Sequence, residues 1–207
     1  MARSSSVSSQ SPSGGCLTKP QICKGNTDPR AGAREGLPLR AIPVTIPPMR
    51  YVMKQKLFSL SDRFAIRNEA GEEVFFVNGQ VFSLGHKLSF EDPAGNELLF
   101  IRQKLLAFGP TYELYRGDEH VATIRKELFT FFNCTFDIHV DGQGDLEAQG
   151  NFSDHEYIVT TGGETAAQIS KEWFTWSDTY GVDVADGIDP ALILASTVVI
   201  DICCHEQ

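Results

Sequence analysis

What the chain lacks narrows its function before any motif is sought. It has no Walker loop, no GxSxG and no GxGxxG, so the usual phosphate cradles and the nucleophile elbow are missing. Gly142-Gln143-Gly144 reads as hairpin chemistry. The five histidines, His86, His120, His139, His155 and His205, never fall at HxxxH, HExxH or CxxC-linked spacing, so they are read as surface or turn residues rather than metal ligands. Before Tyr51 there is no apolar run of the ~7 to 15 residues that a secretory signal needs. Disulfide logic fails too: the cysteines are odd in number, at Cys16, Cys23, Cys134, Cys203 and Cys204, and do not form a framework. A reducing, cytoplasmic setting and a non-enzymatic role are expected, with no resident cofactor.

Charge is unevenly spread. Residues 1–50 are rich in Ser, Gly and Pro and without helical or strand periodicity, so they are expected to be a disordered basic tail. Seven Lys and Arg there face only Asp28 and Glu35, a net +5. The whole chain is −9, so residues 51–207, expected to form one domain, carry −14. The Ser-rich start has a weak organelle-targeting character, but no amphipathic Arg-bearing stretch follows it. Met49 and Met53 are alternative starts directly before the first strand-like segment. A body at −14 repels nucleic acid and anionic membrane overall. Any anionic ligand therefore needs a local basic patch.

From Lys54 onward the sequence repeats one pattern, an alternating strand, a short turn with Gly or Asp, and another strand. Turns are predicted at Asn68 to Gly71, Asp92 to Gly95, Arg116 to Glu119, Asp141-Gly142 and Gly162-Gly163. About twelve short antiparallel strands result, and closure into a barrel would remove the exposed edges.

The end of the chain departs from that pattern. Asp189 is an N-cap residue and Pro190 a first-turn proline, which together predict a helix start. From Pro190 to Ile202 the apolar residues cover every side, including Leu192, Ile193, Leu194, Val198, Val199 and Ile200. At ~1.5 Å per residue that helix spans about 20 Å, short of the ~30 Å of a bilayer core. A helix apolar all round has to be buried, here inside the strand meander, with Ser196 and Asp201 as its polar interruptions.

Three stretches carry a resemblance: Tyr51-Val-Met-Lys-Gln-Lys-Leu-Phe58, Ile169-Ser-Lys-Glu-Trp-Phe-Thr-Trp-Ser-Asp-Thr-Tyr-Gly-Val182, and Asp189-Pro-Ala-Leu-Ile-Leu-Ala195 through Val199-Ile-Asp201. In this order they resemble the LURP-one-related branch of the tubby C-terminal-like superfamily, over nearly all of Tyr51 to Glu206. Phospholipid scramblases, a sister group, close with a similar acidic stretch, apolar helix and Asp. The resemblance implies a closed barrel around a central helix and a binding or scaffold role without catalytic residues. It also implies phosphoinositide or peripheral membrane contact, a protein partner, or, as the alternative, a calcium-responsive membrane protein of scramblase type.

Two residue sets follow for testing. Residues i and i+2 on a strand share a face, so Lys54 with Lys56, and Arg102 with Lys104, are candidate phosphate grips. Arg125 with Lys171 joins them only if their strands are neighbours. Asp178, Asp183 and Asp186, with Asp189, form the acidic cluster where calcium would bind by analogy with scramblases. Trp173 falls on one strand face and Phe174 with Trp176 on the other, and Cys203-Cys204-His205 at a helix end is read as neither a metal nor an acylation site.

Overall fold

The computed structural model describes residues 49–54, 63–80, 84–127, 135–171 and 179–205. They form twelve antiparallel strands and one helix. The strands are β1 (Met49–Lys54), β2 (Phe64–Asn68), β3 (Glu73–Gly79), β4 (Lys87–Glu91), β5 (Glu97–Gln103) and β6 (Thr111–Arg116). After them come β7 (Glu119–Lys126), β8 (Thr135–Val140), β9 (Gly144–Asn151), β10 (Glu156–Thr161), β11 (Glu164–Ser170) and β12 (Thr179–Val184), then α1 (Pro190–His205).

Each strand pairs with its neighbours in the chain, and β1 closes the sheet on β12 through the register Met49↔Val184 to Lys54↔Thr179. Closure leaves no edge strand to template aggregation. The period of two puts one side chain set inside: Tyr51 and Met53, Leu88 and Phe90, Leu99 and Ile101, and correspondingly around the wall to Tyr180 and Val182, all buried.

α1 fills that interior, and from Ala191 to Cys203 every residue is buried. It runs three residues beyond Ile202, the end expected from the sequence. Sixteen residues at ~1.5 Å each give about 24 Å, close to the roughly 20 Å of a six-residue strand, so rod and sheath match in length. Asp189 caps the helix, accepting the Ala191 N–H at 2.9 Å. Inside, Ser196 and Thr197 return their hydroxyls to the carbonyls of Leu192 and Ile193 at 2.8 and 3.0 Å, which makes these two polar residues tolerable in an apolar core. At the far end the Lys126 ammonium donates to the Cys203 carbonyl at 3.0 Å, where the helix dipole favours a cation.

The meander makes the two ends of the barrel unlike. One end carries the tight hairpin turns after β2, β4, β6, β8 and β10 together with the start of α1, where Arg116 reaches Asp189 at 2.7 Å. The other end carries the connections after β3, β5 and β9 and the last turn of α1. There the only polar cluster inside the barrel forms among the described residues. Tyr180 donates to Asp201, and the His155 ring stacks on Tyr180 at 4.3 Å with Nε2 3.2 Å from Asp201 Oδ1. His155 lies in a turn, as read from the sequence, but it is fully buried and takes φ +55°. Its ring supplies the polar neighbour that the carboxylate of Asp201 needs in an apolar interior.

Candidate functional site

Antiparallel alternation sorts the charges. Among the described residues Arg50, Arg67 and Arg116 lie toward the hairpin-turn end, and each has an acidic partner: Asp183 at 2.6 Å, Glu73 at 2.8 Å and Asp189 at 2.7 Å. All other described Lys and Arg sit where strands meet the opposite end. Lys54 closes β1, Arg63 precedes β2, Lys87 opens β4, and Arg102 and Lys104 end β5. Arg125, Lys126 and Lys171 continue the set at the ends of β7 and β11. The hairpin turns, by contrast, hold Glu69, Glu72, Asp92, Asp118 and Asp141, and the β12–α1 connection at the same end holds Asp186. A domain that is acidic in total thus has one basic end.

Two basic surfaces stand out at that end. The first is a groove of about 350 Å³ on the outside of β1–β3, which starts at Lys54, Arg63 and Thr179 and runs along the wall past Phe76 to the Arg67–Glu73 pair. The Arg63 guanidinium lies 3.8 Å over the Phe76 ring, which holds it in place, and one of its nitrogens stands 3.9 Å from Glu91. The second is a row across β4, β5 and β6, in which Lys87 pairs in register with Arg102 and Arg102 with Glu113. Arg102 donates to Glu113 at 2.7 Å and also contacts the Tyr115 hydroxyl, and Lys104 reaches the same carboxylate at 3.1 Å. The Arg102 hydrogen bond, with those from Tyr115 and Lys104, pulls the Glu113 pKa down to about 2. One carboxylate is shared by two cations and Lys87 stands beside them, so the row keeps an excess of positive charge.

Of the residues singled out in the sequence, Arg102 and Lys104 do share a face, and Lys54 lines the groove. Lys56 lies outside the described residues, as do Asp178, Trp173, Phe174 and Trp176. Arg125 and Lys171 do not meet: β8, β9 and β10 separate β7 from β11, so the condition for pairing them is not fulfilled. In the acidic cluster, Asp183 forms a two-pronged pair with Arg50 and Asp189 binds both Arg116 and the helix start, whereas Asp186 is exposed in a turn. Among the described residues no group of three His, Cys, Asp or Glu is placed to hold a metal ion. Arg63, Arg67 and Lys87 were missed in the sequence. Hairpin alternation was the available signal, because it assigns every strand terminus to one of two ends.

No helix among the described residues is long and apolar enough to cross a membrane. A family model described as LURP-one-related matches residues 49–201. The uncharacterised protein YxjI of Bacillus subtilis strain 168 is 34% identical over 155 residues, which cover 75% of this chain and 93% of YxjI. A solved X-ray structure of an Arabidopsis thaliana protein superposes with a TM-score of 0.54 at 18% identity, covering 74% of this chain and 89% of that one. That likeness concerns the fold, a tubby-like barrel.

Proposed function

The chain belongs to the LURP-one-related family, and we propose that it is a non-catalytic binding module whose ligand is anionic and is taken at the basic end of the barrel. The observation that carries this reading is the sorting of charge: eight of the eleven described Lys and Arg gather at one end of a domain that is otherwise strongly acidic. A groove with the Lys54 ammonium and the Arg63 guanidinium at its basic end suits a phosphate ester, because a guanidinium fork matches a pair of phosphate oxygens. A phosphoinositide head group is one ligand of that chemistry. The non-catalytic part is supported by a sequence without nucleophile-elbow, phosphate-loop or metal-ligand motifs.

Titration calorimetry of the full chain with inositol hexakisphosphate tests the reading. Binding that falls about tenfold in Lys54→Glu with Arg63→Glu, and weakens as salt rises, is expected. Absence of binding at low salt, or equal binding by the variant and the parent, overturns it.

A further inference from the structure

On the outer wall, where β4 and β5 reach the basic end, Leu84, Leu105 and Leu106 border an open cavity of about 620 Å³. Leu84 and Leu106 are 83% and 99% exposed, and Phe108 in the same β5–β6 connection is 71% exposed. Large apolar side chains grouped around a concavity mark a contact surface. The connection is pinned at both ends. A Cβ on Gly85 (φ +79°) would stand 2.8 Å from Leu105 Cδ2, so Leu105 packs there on bare backbone, and the His86 N–H donates to Gln103 Oε1 at 3.0 Å. The Lys104 N–H donates to the Thr111 carbonyl at 2.8 Å. The apolar groups are therefore held before a partner arrives, which lowers the ordering cost of binding. Around the cavity stand Lys87, Arg102 and Lys104 with one carboxylate, Glu113, so the rim carries a net +2. Arg102 and Lys104 are about half exposed, and ion pairs at that exposure are weak enough to be shared with the carboxylates of a partner.

We infer that this face docks an acidic amphipathic helix of a second protein, whose apolar side chains enter the cavity while Asp and Glu on its flanks meet Lys87, Arg102 and Lys104. The cavity is separate from the groove at Lys54 and Arg63, and the inference stands or falls independently of the reading given for that groove. Three observations select this occupant. The surface is concave, so it is filled by side chains that project from a partner and not by a flat one. The strands beneath it are paired on both sides, β4 with β3 and β5, and β5 with β4 and β6. No strand edge is therefore open to an extended peptide, and the partner has to satisfy its own backbone hydrogen bonds, as a helix does. An apolar centre within a charged rim is the anatomy of a protein interface, and the positive sign of the rim selects acidic side chains.

The test is fluorescence anisotropy of the full chain with a labelled helical peptide of about 18 residues, carrying Leu along one face at i, i+3, i+4 and i+7 spacing and Glu beside it. A second peptide of the same composition spreads the Leu over all faces, and a third has Lys in place of Glu. The first should bind at least about tenfold more tightly than the other two, and Leu106→Ser should weaken it at least about tenfold. Lys104→Glu should reduce the preference for the Glu peptide over the Lys peptide. Residues 1–48 are common to parent and variants, so the differences report the cavity. Leu106 is almost fully exposed, so Leu106→Ser should keep the parent's melting temperature and its calorimetry with inositol hexakisphosphate. Should it melt lower, Lys104→Glu decides. Equal binding of the first two peptides, or of the first peptide by Leu106→Ser and parent, overturns the inference. So does peptide binding that is absent while phosphatidylserine vesicles bind the parent and not Leu106→Ser, which assigns the face to a bilayer, and so does a parent dimer that Leu106→Ser makes monomeric. Peptide binding without inositol hexakisphosphate binding supports this inference and removes only the reading of the groove.

Discussion

Tyr180 donates its hydroxyl to Asp201 Oδ2 across 2.5 Å, tying β12 to the last buried turn of α1. Burial, with Asp201 close by, keeps the Tyr180 phenol well above its ordinary pKa, so it remains a donor at every physiological pH. Tyr180→Phe keeps the ring stacked on His155 and removes only the donor. A loss of about 1–3 kcal/mol is expected, read as a lower urea midpoint at unchanged slope.

Glu113 gives the pH dependence. Its folded pKa of about 2 lies below the ordinary 4.5, so its stabilisation is complete above 4.5 and is lost as pH falls through 2. Glu113→Gln therefore melts lower than the parent at neutral pH, by on the order of 1 kcal/mol once solvent around Arg102 is considered. Melting curves between pH 7 and pH 2 should show the gap closing only below about 4.5. A gap constant over that range contradicts the Arg102 hydrogen bond as its source.

Two glycines with positive φ should differ sharply on substitution. Gly150 has φ +144°, and a Cβ there would lie 2.6 Å from the Glu156 carbonyl and 2.7 Å from Tyr157 Cα. Gly117, at φ +61°, has nothing within 4 Å of the added carbon. Gly150→Ala should lose more than ~2 kcal/mol because backbone must move, and Gly117→Ala about 1 kcal/mol from conformation alone. Thermal denaturation of both variants checks the order.

Leucine to alanine should separate core from exposed loop. Leu194 is wholly inside the barrel, and Leu194→Ala should cost ~2–5 kcal/mol through the void it leaves. Leu106 is 99% exposed, and Leu106→Ala should stay within about 0.5 kcal/mol of the parent. Chemical denaturation measures both.

Much of the fold was legible because its signals are local. The turns at Asp92 to Gly95 and Gly162-Gly163 announce themselves through glycines that take positive φ, and Asp189-Pro190 announces the helix start. The twelve strands, the closure and the buried helix all agree with the expectation drawn from alternation and from the apolar run. What alternation does not reveal is which distant residues meet. His155 shows no periodic signal, and it is buried because a turn between β9 and β10 folds over the end of α1 beside Asp201. Asp183 looks like a calcium ligand in the sequence, yet barrel closure brings Arg50 to it from the other end of the domain. Arg125 and Lys171 could act together only on neighbouring strands, a condition that the sequence leaves open and the strand order excludes.

The pairing of β1 with β12 around α1 sets an order on biosynthesis. The first strand of the barrel waits for the twelfth, and the helix that fills the barrel leaves the ribosome after all twelve strands. Until then the helix cannot cover the inward faces of the strands, so the nascent domain exposes aggregation-prone apolar surface for most of its translation. A ribosome-stalled chain ending before Pro190 should be cut by protease throughout the wall, whereas release of the helix should convert it to a resistant form in a single cooperative step.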